Sequence, residues 1–281
     1  MIKQYPHVET ERQGPVLIIR LANQAARNAL SRELRFSLRD ITREIEDDHS
    51  VRSVYLTGKG KSFCAGGELK MLTTASDPWS VHRRFNHANT LFPPFLSLSR
   101  PVVCGVRGHA MGGGLGLALM CDLIIAGDSA KFAAGFFRLG VVPDCLSMFT
   151  LPRLIGLAKA RNFLFTDSSW NAAQAVELGI ALKAVPDEEV DAEGIALAHK
   201  LASGPAEVMG LSKQLLLKSF ESSLEEMMSY EGLGQALAMS SAEFREGLGA
   251  LVEKRVPDYL GAAMASPITD GMPSSIVKDE G

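Results

Sequence analysis

The amino-acid sequence predicts an α/β protein with a helical C-terminal region. The first half of the chain repeats a short apolar strand, a glycine-bearing turn and a helix. Beyond about Leu151 the apolar residues keep mainly helical spacing. The length of 281 residues allows one large domain or two smaller ones.

The predicted strands are short apolar runs that end at turn residues. They cover residues 16–21 (VLIIRL), 51–57 (VRSVYLT), 101–106 (PVVCGV) and 123–126 (LIIA). Between the first two, a helix is predicted from Ser31, because a serine is a favourable N-cap. The residues that follow place one apolar face on this helix: Leu34, Leu38, Ile41 and Ile45.

We expect three regions along the chain. Residues 1–200 form the α/β core with the site, and residues 201–260 form a C-terminal helical region. Residues 261–281 are rich in glycine, proline and serine, so we expect a disordered tail.

Composition argues against several classes of protein. The net charge of −3 disfavours a nucleic-acid partner. A membrane span is not expected, because no run of about 18 apolar residues occurs. The polar N-terminus does not resemble a signal peptide. None of the cysteines stands in a CxxC pair, and we expect reduced thiols in a cytoplasmic protein without a metal site: Cys64, Cys104, Cys121 and Cys145.

Common nucleotide-binding motifs fail at particular residues. Gly60-Lys61-Ser62 resembles the end of a P-loop, but Tyr55 stands where the first glycine is needed. The run 112–116 resembles a dinucleotide fingerprint, but Leu117 takes the place of its third glycine. Neither a GxSxG elbow nor an HExxH helix occurs in the sequence.

Two glycine-bearing turns remain, at residues 63–69 (FCAGGEL) and 109–116 (HAMGGGLG). Each follows a predicted strand, and glycine lets the backbone approach a ligand closely. The second turn also opens a helix, where free N–H groups favour negative charge. Two such donors would stabilise a developing oxyanion. The alternative is that these glycines serve only tight turns and packing.

Several motifs together resemble the crotonase superfamily, also called the enoyl-CoA hydratase/isomerase family. They are AARNAL, SFCAGGEL, VRGHAMGGGLGLALMCDLIIAGDSAKF, LGVVPD, LPRLIGLAKA and AVELGIALKAV. The resemblance implies a spiral of repeated ββα units whose C-terminal helices mediate trimers or hexamers. It implies an acyl-CoA thioester as substrate, with no separate cofactor. The thioester oxygen would be held by the N–H groups of Gly67 and Gly113.

The same resemblance implies that CoA binds near four residues of the first half. These are Arg27, Ala65, Glu68 and Leu69. For Arg27 the alternative is a solvated loop cation. Glu68 is better interpreted as a solvated or capping carboxylate than as a base.

The chain departs from the hydratases of this family at both of their catalytic glutamates. The first would fall at Gly116 and the second at Phe136, and the common isomerase base also falls near Phe136. Asp144 is the carboxylate left in the right segment. It resembles the aspartate of phenylacetate-type enoyl-CoA isomerases, which implies a proton shuttle. For Asp144 the alternative is a helix N-cap.

Other activities stay open at this stage. Benzoyl-CoA dehalogenases also carry an aspartate here, but they place a tryptophan where Phe136 stands and need a histidine that His87 does not match cleanly. A hydratase with other water-positioning groups and a non-catalytic CoA-ester-binding protein are further alternatives. We expect Phe136 to line the acyl site, where apolar side chains would desolvate Asp144 and raise its pKa: Phe136, Phe137, Leu146, Met148 and Phe149.

Overall fold

The computed structural model of the protein describes residues 4–68, 77–88 and 90–265. Its main sheet has six strands in the spatial order β1-β2-β3-β4-β6-β9. β1 is antiparallel to β2, and every other neighbouring pair is parallel. These strands are β1 (Val8–Gln13), β2 (Val16–Leu21), β3 (Ser53–Gly58), β4 (Val102–Val106), β6 (Leu123–Gly127) and β9 (Lys183–Val185).

A second sheet has three strands in the order β5-β7-β8. β5 runs parallel to β7, and β7 is antiparallel to β8. These strands are β5 (His109–Met111), β7 (Lys131–Ala133) and β8 (Ser169–Asn171).

Helices connect the strands and form the C-terminal part of the protein. In the first part they are α1 (Arg32–Asp47), α2 (Pro78–Ala88), α3 (Phe92–Leu96), α4 (Gly113–Leu119), α5 (Ser147–Ile155), α6 (Leu157–Phe165) and α7 (Ala172–Glu177). They continue as α8 (Val190–Ala202), α9 (Ala206–Lys218), α10 (Leu224–Met239), α11 (Ala242–Glu253) and α12 (Tyr259–Ala265). Short 3₁₀ turns cover Gln24–Ala26, Phe137–Leu139 and Asp187–Glu189.

The main sheet is covered on both faces, as expected for parallel strands. Val54 and Leu56 belong to the large core that includes the apolar face of α1. Tyr55, between them, belongs to a second core under α8, together with Ala198 and Ala202. This alternation follows from the period of two residues along a strand.

The predicted α/β class and several predicted elements are confirmed. The strand at residues 16–21 has the predicted bounds. Ser31 is the N-cap of α1, and its hydroxyl accepts a hydrogen bond from Leu34 N–H. The strand predicted from residue 51 begins at Ser53.

Ion pairs connect the C-terminal helices to the core. Arg52 and Glu243, each almost fully buried, form an ion pair at 2.8 Å. Arg52 also donates to the carbonyl oxygen of Ala202 at 2.8 Å, where α8 ends. Lys213 of α9 pairs with Asp122 at 2.8 Å.

The expected disordered tail was placed too early. Residues 261–265 form the last turn of α12, because Ala262 N–H donates to the carbonyl oxygen of Asp258 and continues a helix. Residues 266–281 lie outside the described residues. Within the described ranges, none of the helices is long and apolar enough to cross a membrane.

Candidate active site

Main-chain hydrogen bonds bring the two glycine-bearing turns together. The start of the first turn runs alongside β5. Phe63 N–H donates to Arg107 O at 2.8 Å, and Cys64 N–H donates to His109 O at 2.9 Å. Met111 N–H returns a bond to Cys64 O at 3.0 Å. Because these bonds join the first residues of one turn to the first residues of the other, the two turns lie against each other.

The contact between the turns is made by glycine backbones. Gly66 has a φ of +92°, and a Cβ added there would lie 2.6 Å from Met111 O and 3.4 Å from Gly113 N. A Cβ on Gly67 would meet open space. Among the described residues, no backbone carbonyl accepts a hydrogen bond from the N–H of Gly67 or Gly113. The first turn therefore packs directly against the backbone of Gly113.

The loop before α1 supports the first turn from its other side. Ala65 N–H donates to Arg27 O at 3.0 Å, and Leu30 N–H donates to Gly66 O at 2.8 Å. Arg27 and Asn28 are both left-handed, with φ of 51° and 57°. The side chain of Arg27 is exposed, so the loop presents a cation beside the site.

Asn28 ties this loop to the segment that leads into the first turn. Its side chain is 1% exposed. The amide nitrogen donates to Lys59 O at 3.0 Å and to Ser62 O at 2.8 Å. These two bonds span more than 30 residues of sequence and hold the support loop in place.

Asp144 lies beside Gly113. Its Oδ1 is 3.9 Å from the position that a Cβ on Gly113 would take. Cys145 Sγ lies 2.9 Å from that Cβ position, and Leu30 Cδ1 lies 3.0 Å from it. Asp144 is half-buried, so it lies beside Gly113 while part of the residue still reaches solvent.

A strained turn presents this carboxylate. Ser147 N–H donates to Asp144 O at 3.0 Å, and the two central residues are left-handed, Cys145 at φ 51° and Leu146 at φ 59°. Such mirror-image turns ordinarily carry Gly, Asn or Asp. Leu146 is the N-cap of α5 and makes no side-chain capping bond. The alternative prediction of Asp144 as the N-cap is therefore wrong: it stands two residues earlier.

Gly116 cannot hold the side chain that hydratases place there without a shift of the turn. A Cβ on Gly116 would lie 2.4 Å from Cys145 O and 2.9 Å from Ser147 Oγ. Ser147 is fully buried, and its Oγ has no hydrogen-bond partner among the described residues. The turn that carries Asp144 thus fills the space beside Gly116, the position at which the resemblance led us to expect a hydratase glutamate.

Phe136 forms an apolar wall close to the second turn. It is 6% exposed, and its ring carbons lie 3.8 and 3.9 Å from the Cβ position of Gly112. Phe137 and Met148 were expected to desolvate Asp144, but they are 42% and 55% exposed. That expectation is wrong for these two residues, because the 3₁₀ turn after Phe136 and the first turn of α5 direct them outward.

The Cys145 thiol is in electrostatic contact with Asp144. Burial raises the pKa of this thiol well above its usual value, and the negative charge of Asp144 raises it further. The guanidinium of Arg35, on α1, acts in the opposite direction. Burial also raises the pKa of Cys64 to about 12. Both thiols therefore stay protonated at neutral pH.

The structure describes some of the remaining predicted residues and leaves others outside the described ranges. Ala65 and Glu68 are half-buried at the end of the first turn. Leu69 lies outside the described residues, as does the side chain of His87. In the described part of the chain, no three His, Cys, Asp or Glu side chains converge as metal ligands.

Sequence reasoning missed Cys145 and Leu30 as neighbours of Gly113, and Arg35 as a charge that acts on Cys145. Cys145 follows Asp144 directly, which is a signal that could have found it. Leu30 and Arg35 come from a distant segment, and only the fold brings them to the site.

The fold brings two glycine-bearing turns and the carboxylate of Asp144 together in an α/β protein. The profile of the enoyl-CoA hydratase/isomerase family matches residues 11–262. The chain belongs to this family, which is the crotonase superfamily of isomerases and lyases.

Relatives and solved structures agree with this assignment. The 1,2-epoxyphenylacetyl-CoA isomerase of Escherichia coli is 34% identical over 252 residues, which cover 88% of this chain and 95% of the relative. A probable mitochondrial enoyl-CoA hydratase of Dictyostelium discoideum is 31% identical and covers 92% of both chains. The crystal structure of an enoyl-CoA hydratase/isomerase from Cupriavidus metallidurans has a TM-score of 0.87 at 30% identity, over 92% of this chain and 97% of that one.

Proposed function

We propose that the protein isomerises the double bond of an unsaturated acyl-CoA thioester. The thioester oxygen accepts hydrogen bonds from the N–H groups of Gly67 and Gly113. CoA lies near Arg27, Ala65, Glu68 and Leu69, with the exposed guanidinium of Arg27 available to its phosphates. Phe136 contacts the acyl chain. CoA is part of the substrate, and no other cofactor is required.

The observation that carries this proposal is the position of Asp144 at Gly113. The carboxylate oxygen is 3.9 Å from the Cβ position of the residue whose N–H would hold the thioester oxygen. A base placed there is close to the carbon next to the carbonyl group. Gly116 and Phe136 carry no ionisable group, so of these three positions only Asp144 can transfer a proton.

The chemical step follows from these positions. For a β,γ-unsaturated thioester, Asp144 removes a proton from C2. The electron pair of the C2–H bond forms a double bond between C1 and C2, and the π pair of the carbonyl group moves to the thioester oxygen. Each main-chain donor stabilises the resulting enolate by about 3–4 kcal/mol. Asp144 then returns the proton to C4 as the C2–C3 double bond forms and the carbonyl group is restored. Atoms and electrons balance without a further reactant.

The test is turnover of a β,γ-unsaturated acyl-CoA by the full-length protein. The proposal predicts that conjugated α,β-unsaturated thioester accumulates, seen as a rise in its ultraviolet absorbance. Asp144→Asn keeps the shape of the side chain and should lose this activity by about 10²–10⁴-fold. Equal turnover by the variant and the wild type would rule out Asp144 as the base.

Hydration is the second candidate, because several relatives are named as hydratases, among them the short-chain-enoyl-CoA hydratase of Clostridium acetobutylicum. A hydratase would remove the conjugated absorbance of crotonyl-CoA, whereas isomerisation alone leaves crotonyl-CoA conjugated. Halide release from a halobenzoyl-CoA would indicate the dehalogenase alternative instead. Tight binding of CoA esters without turnover of any of them would indicate a non-catalytic protein.

We also propose that the C-terminal helices mediate a homotrimer or a hexamer. Large apolar side chains on α9, α10 and α11 are exposed in the single chain, more than a soluble monomer ordinarily shows: Leu216, Leu233, Leu237, Leu251 and Val252 are each at least 65% exposed. Light scattering coupled to gel filtration measures the mass directly. A mass of about 30 kDa, that of one chain, would contradict the proposal.

A further inference from the structure

The helix α6 ends in a turn that places an aspartate where glycine is usual. Asp167 N–H donates to Leu164 O at 3.2 Å, and Ser168 N–H donates to Phe163 O at 3.1 Å. This pair of bonds is the Schellman motif, whose left-handed residue is usually glycine. Asp167 has a φ of 48°, and the partial negative charge of the helix C-terminus disfavours its carboxylate. Because this placement is unfavourable on both counts, it indicates a role for the side chain.

The Asp167 carboxylate binds the segment that carries Phe136. Its Oδ1 accepts a hydrogen bond from Gly135 N–H at 2.8 Å, and its Oδ2 accepts one from Arg138 Nε. The side chain of Asp167 is 18% exposed, whereas that of Arg138 is 73% exposed. Because solvent weakens an exposed ion pair, the bond to Gly135 is the stronger constraint. It fixes the backbone directly before Phe136.

The strands of the second sheet bring the carboxylate to this backbone. β7 and β8 are antiparallel, with Ala133 opposite Ser169. Continued by two residues, this register places Gly135 opposite Asp167. The side chain of Asp167 thus accepts its hydrogen bond just beyond the end of the two paired strands.

Phe136 lies between this bond and a second contact with α6. The ring centroid of Phe137 lies 5.9 Å from that of Phe165, the last residue of α6. The Phe136 ring approaches the Cβ position of Gly112 to 3.8 Å, and Gly112 directly precedes Gly113, whose N–H would hold the thioester oxygen. A displacement of the held segment would therefore move the wall of the acyl site.

We propose that Asp167 is a positioning residue: its bond to Gly135 holds the ring of Phe136 against the second glycine-bearing turn and thereby limits the length of the acyl chain that the site accepts. This inference rests on the proposed function, in which Phe136 contacts the acyl chain. A fixed ring in a close-packed wall rejects a chain that is one methylene too long. A ring on a loosened segment moves aside and no longer discriminates.

The first test measures dissociation constants by calorimetry for saturated acyl-CoA thioesters of increasing chain length. The wild type should lose affinity by about 10-fold or more at one step of the series. Asp167→Gly accepts the left-handed backbone but lacks the carboxylate, and it should reduce this step to less than about threefold. Asp167→Asn should restore the step, because an amide oxygen still accepts from Gly135 N–H and asparagine tolerates a positive φ. An unchanged step in Asp167→Gly would overturn the proposal.

Lys254→Gly is the matched control, because Lys254 is exposed and left-handed at the C-cap of α11, with a φ of 55°. Both glycine variants relieve a left-handed residue at a helix C-terminus, but only Asp167→Gly removes a bond to the segment of Phe136. A merely structural role for Asp167 would lower the Tm of Asp167→Gly and leave the chain-length profile unchanged. In a Phe136→Leu background, adding Asp167→Gly should alter the profile no further. A second alteration there would show that Asp167 does not act through Phe136.

The second test is hydrogen exchange followed by mass spectrometry, without any ligand. Asp167→Gly should speed exchange in the peptide that covers residues 134–139, because Gly135 N–H loses its acceptor. Asp167→Asn should exchange like the wild type. Equal exchange in Asp167→Gly and the wild type would overturn the proposal. A wild type that turns over no unsaturated acyl-CoA, yet shows the affinity step that Asp167→Gly loses, would refute the proposed reaction and support the role of Asp167.

Discussion

Gly116 supports the turn that carries Asp144, and adding one methyl group there should disturb both stability and activity. The Cβ of Gly116→Ala would lie 2.4 Å from Cys145 O and 2.8 Å from Cys145 Cβ. Ordinary contact begins near 3.4 Å, so the turn must move by about 1 Å. Gly232 is the matched control, because it also lies inside a helix and a Cβ there would meet open space.

The two variants separate helix propensity from overpacking. Each gains about 1 kcal/mol when a helical glycine becomes alanine. Only Gly116→Ala also incurs an overpacking cost of about 1–3 kcal/mol. The difference between the variants is therefore this cost alone. For 281 residues the unfolding entropy is about 0.6 kcal/mol per degree, which converts the cost to a Tm difference of about 2–5 °C.

Thermal unfolding and kinetics of both variants provide the assay. Gly232→Ala should be slightly more stable than the wild type and equally active. Gly116→Ala should have the lower Tm of the pair and a kcat reduced by up to about 10²-fold, because a displacement of 1 Å misplaces Asp144. If Gly116→Ala matches Gly232→Ala in both Tm and kcat, then the turn does not depend on the absence of a side chain at residue 116.

Three further changes test the support of the fold. Glu243→Ala leaves Arg52 buried without its partner and should reduce the free energy of unfolding by about 3–5 kcal/mol in urea denaturation; an effect below 1 kcal/mol would contradict the burial of this pair. Asn28→Ala removes two buried hydrogen bonds and puts alanine at a positive φ. The free energy of unfolding should fall by at least about 2 kcal/mol in the same experiment. Asn28→Gly is the control, because glycine accepts the positive φ but also lacks the hydrogen bonds. Ser31→Ala removes the N-cap bond of α1 and should cost about 1 kcal/mol, whereas Ser31→Asp should retain most of the stability.

The fold could be predicted from the sequence where local patterns were strong. The apolar run of β2 and the capped, amphipathic α1 are specified by nearby residues, and both were predicted with nearly the observed bounds. β1 was missed because its sequence VETERQ is mostly polar, and it forms by antiparallel pairing with β2. The strand Lys131–Ala133 was missed because three residues carry too little periodicity to be recognised.

The site was predicted in its parts but not in its arrangement. Gly67, Gly113 and Asp144 could be named from motifs, yet the contact between the two turns depends on the ladder that joins Phe63 and Cys64 to residues 107–111. The turn at Cys145 could not be foreseen, because two consecutive left-handed residues with side chains contradict local preference. The backbone of that turn occupies the space beside Gly116, so a side chain larger than glycine does not fit there unless the turn moves.

The central claim is that Asp144 moves a proton on a thioester held by Gly67 and Gly113. Its most direct test is a β,γ-unsaturated acyl-CoA incubated in D₂O with the wild type and with Asp144→Asn, followed by proton NMR at C2 and C4. The wild type should form the α,β-unsaturated product and exchange C2 hydrogen with solvent deuterium. Asp144→Asn should have an unchanged Tm. It should form the product and exchange C2 hydrogen at least about 10²-fold more slowly than the wild type. Product formation by the variant at the wild-type rate would contradict the assignment of Asp144 as the proton shuttle.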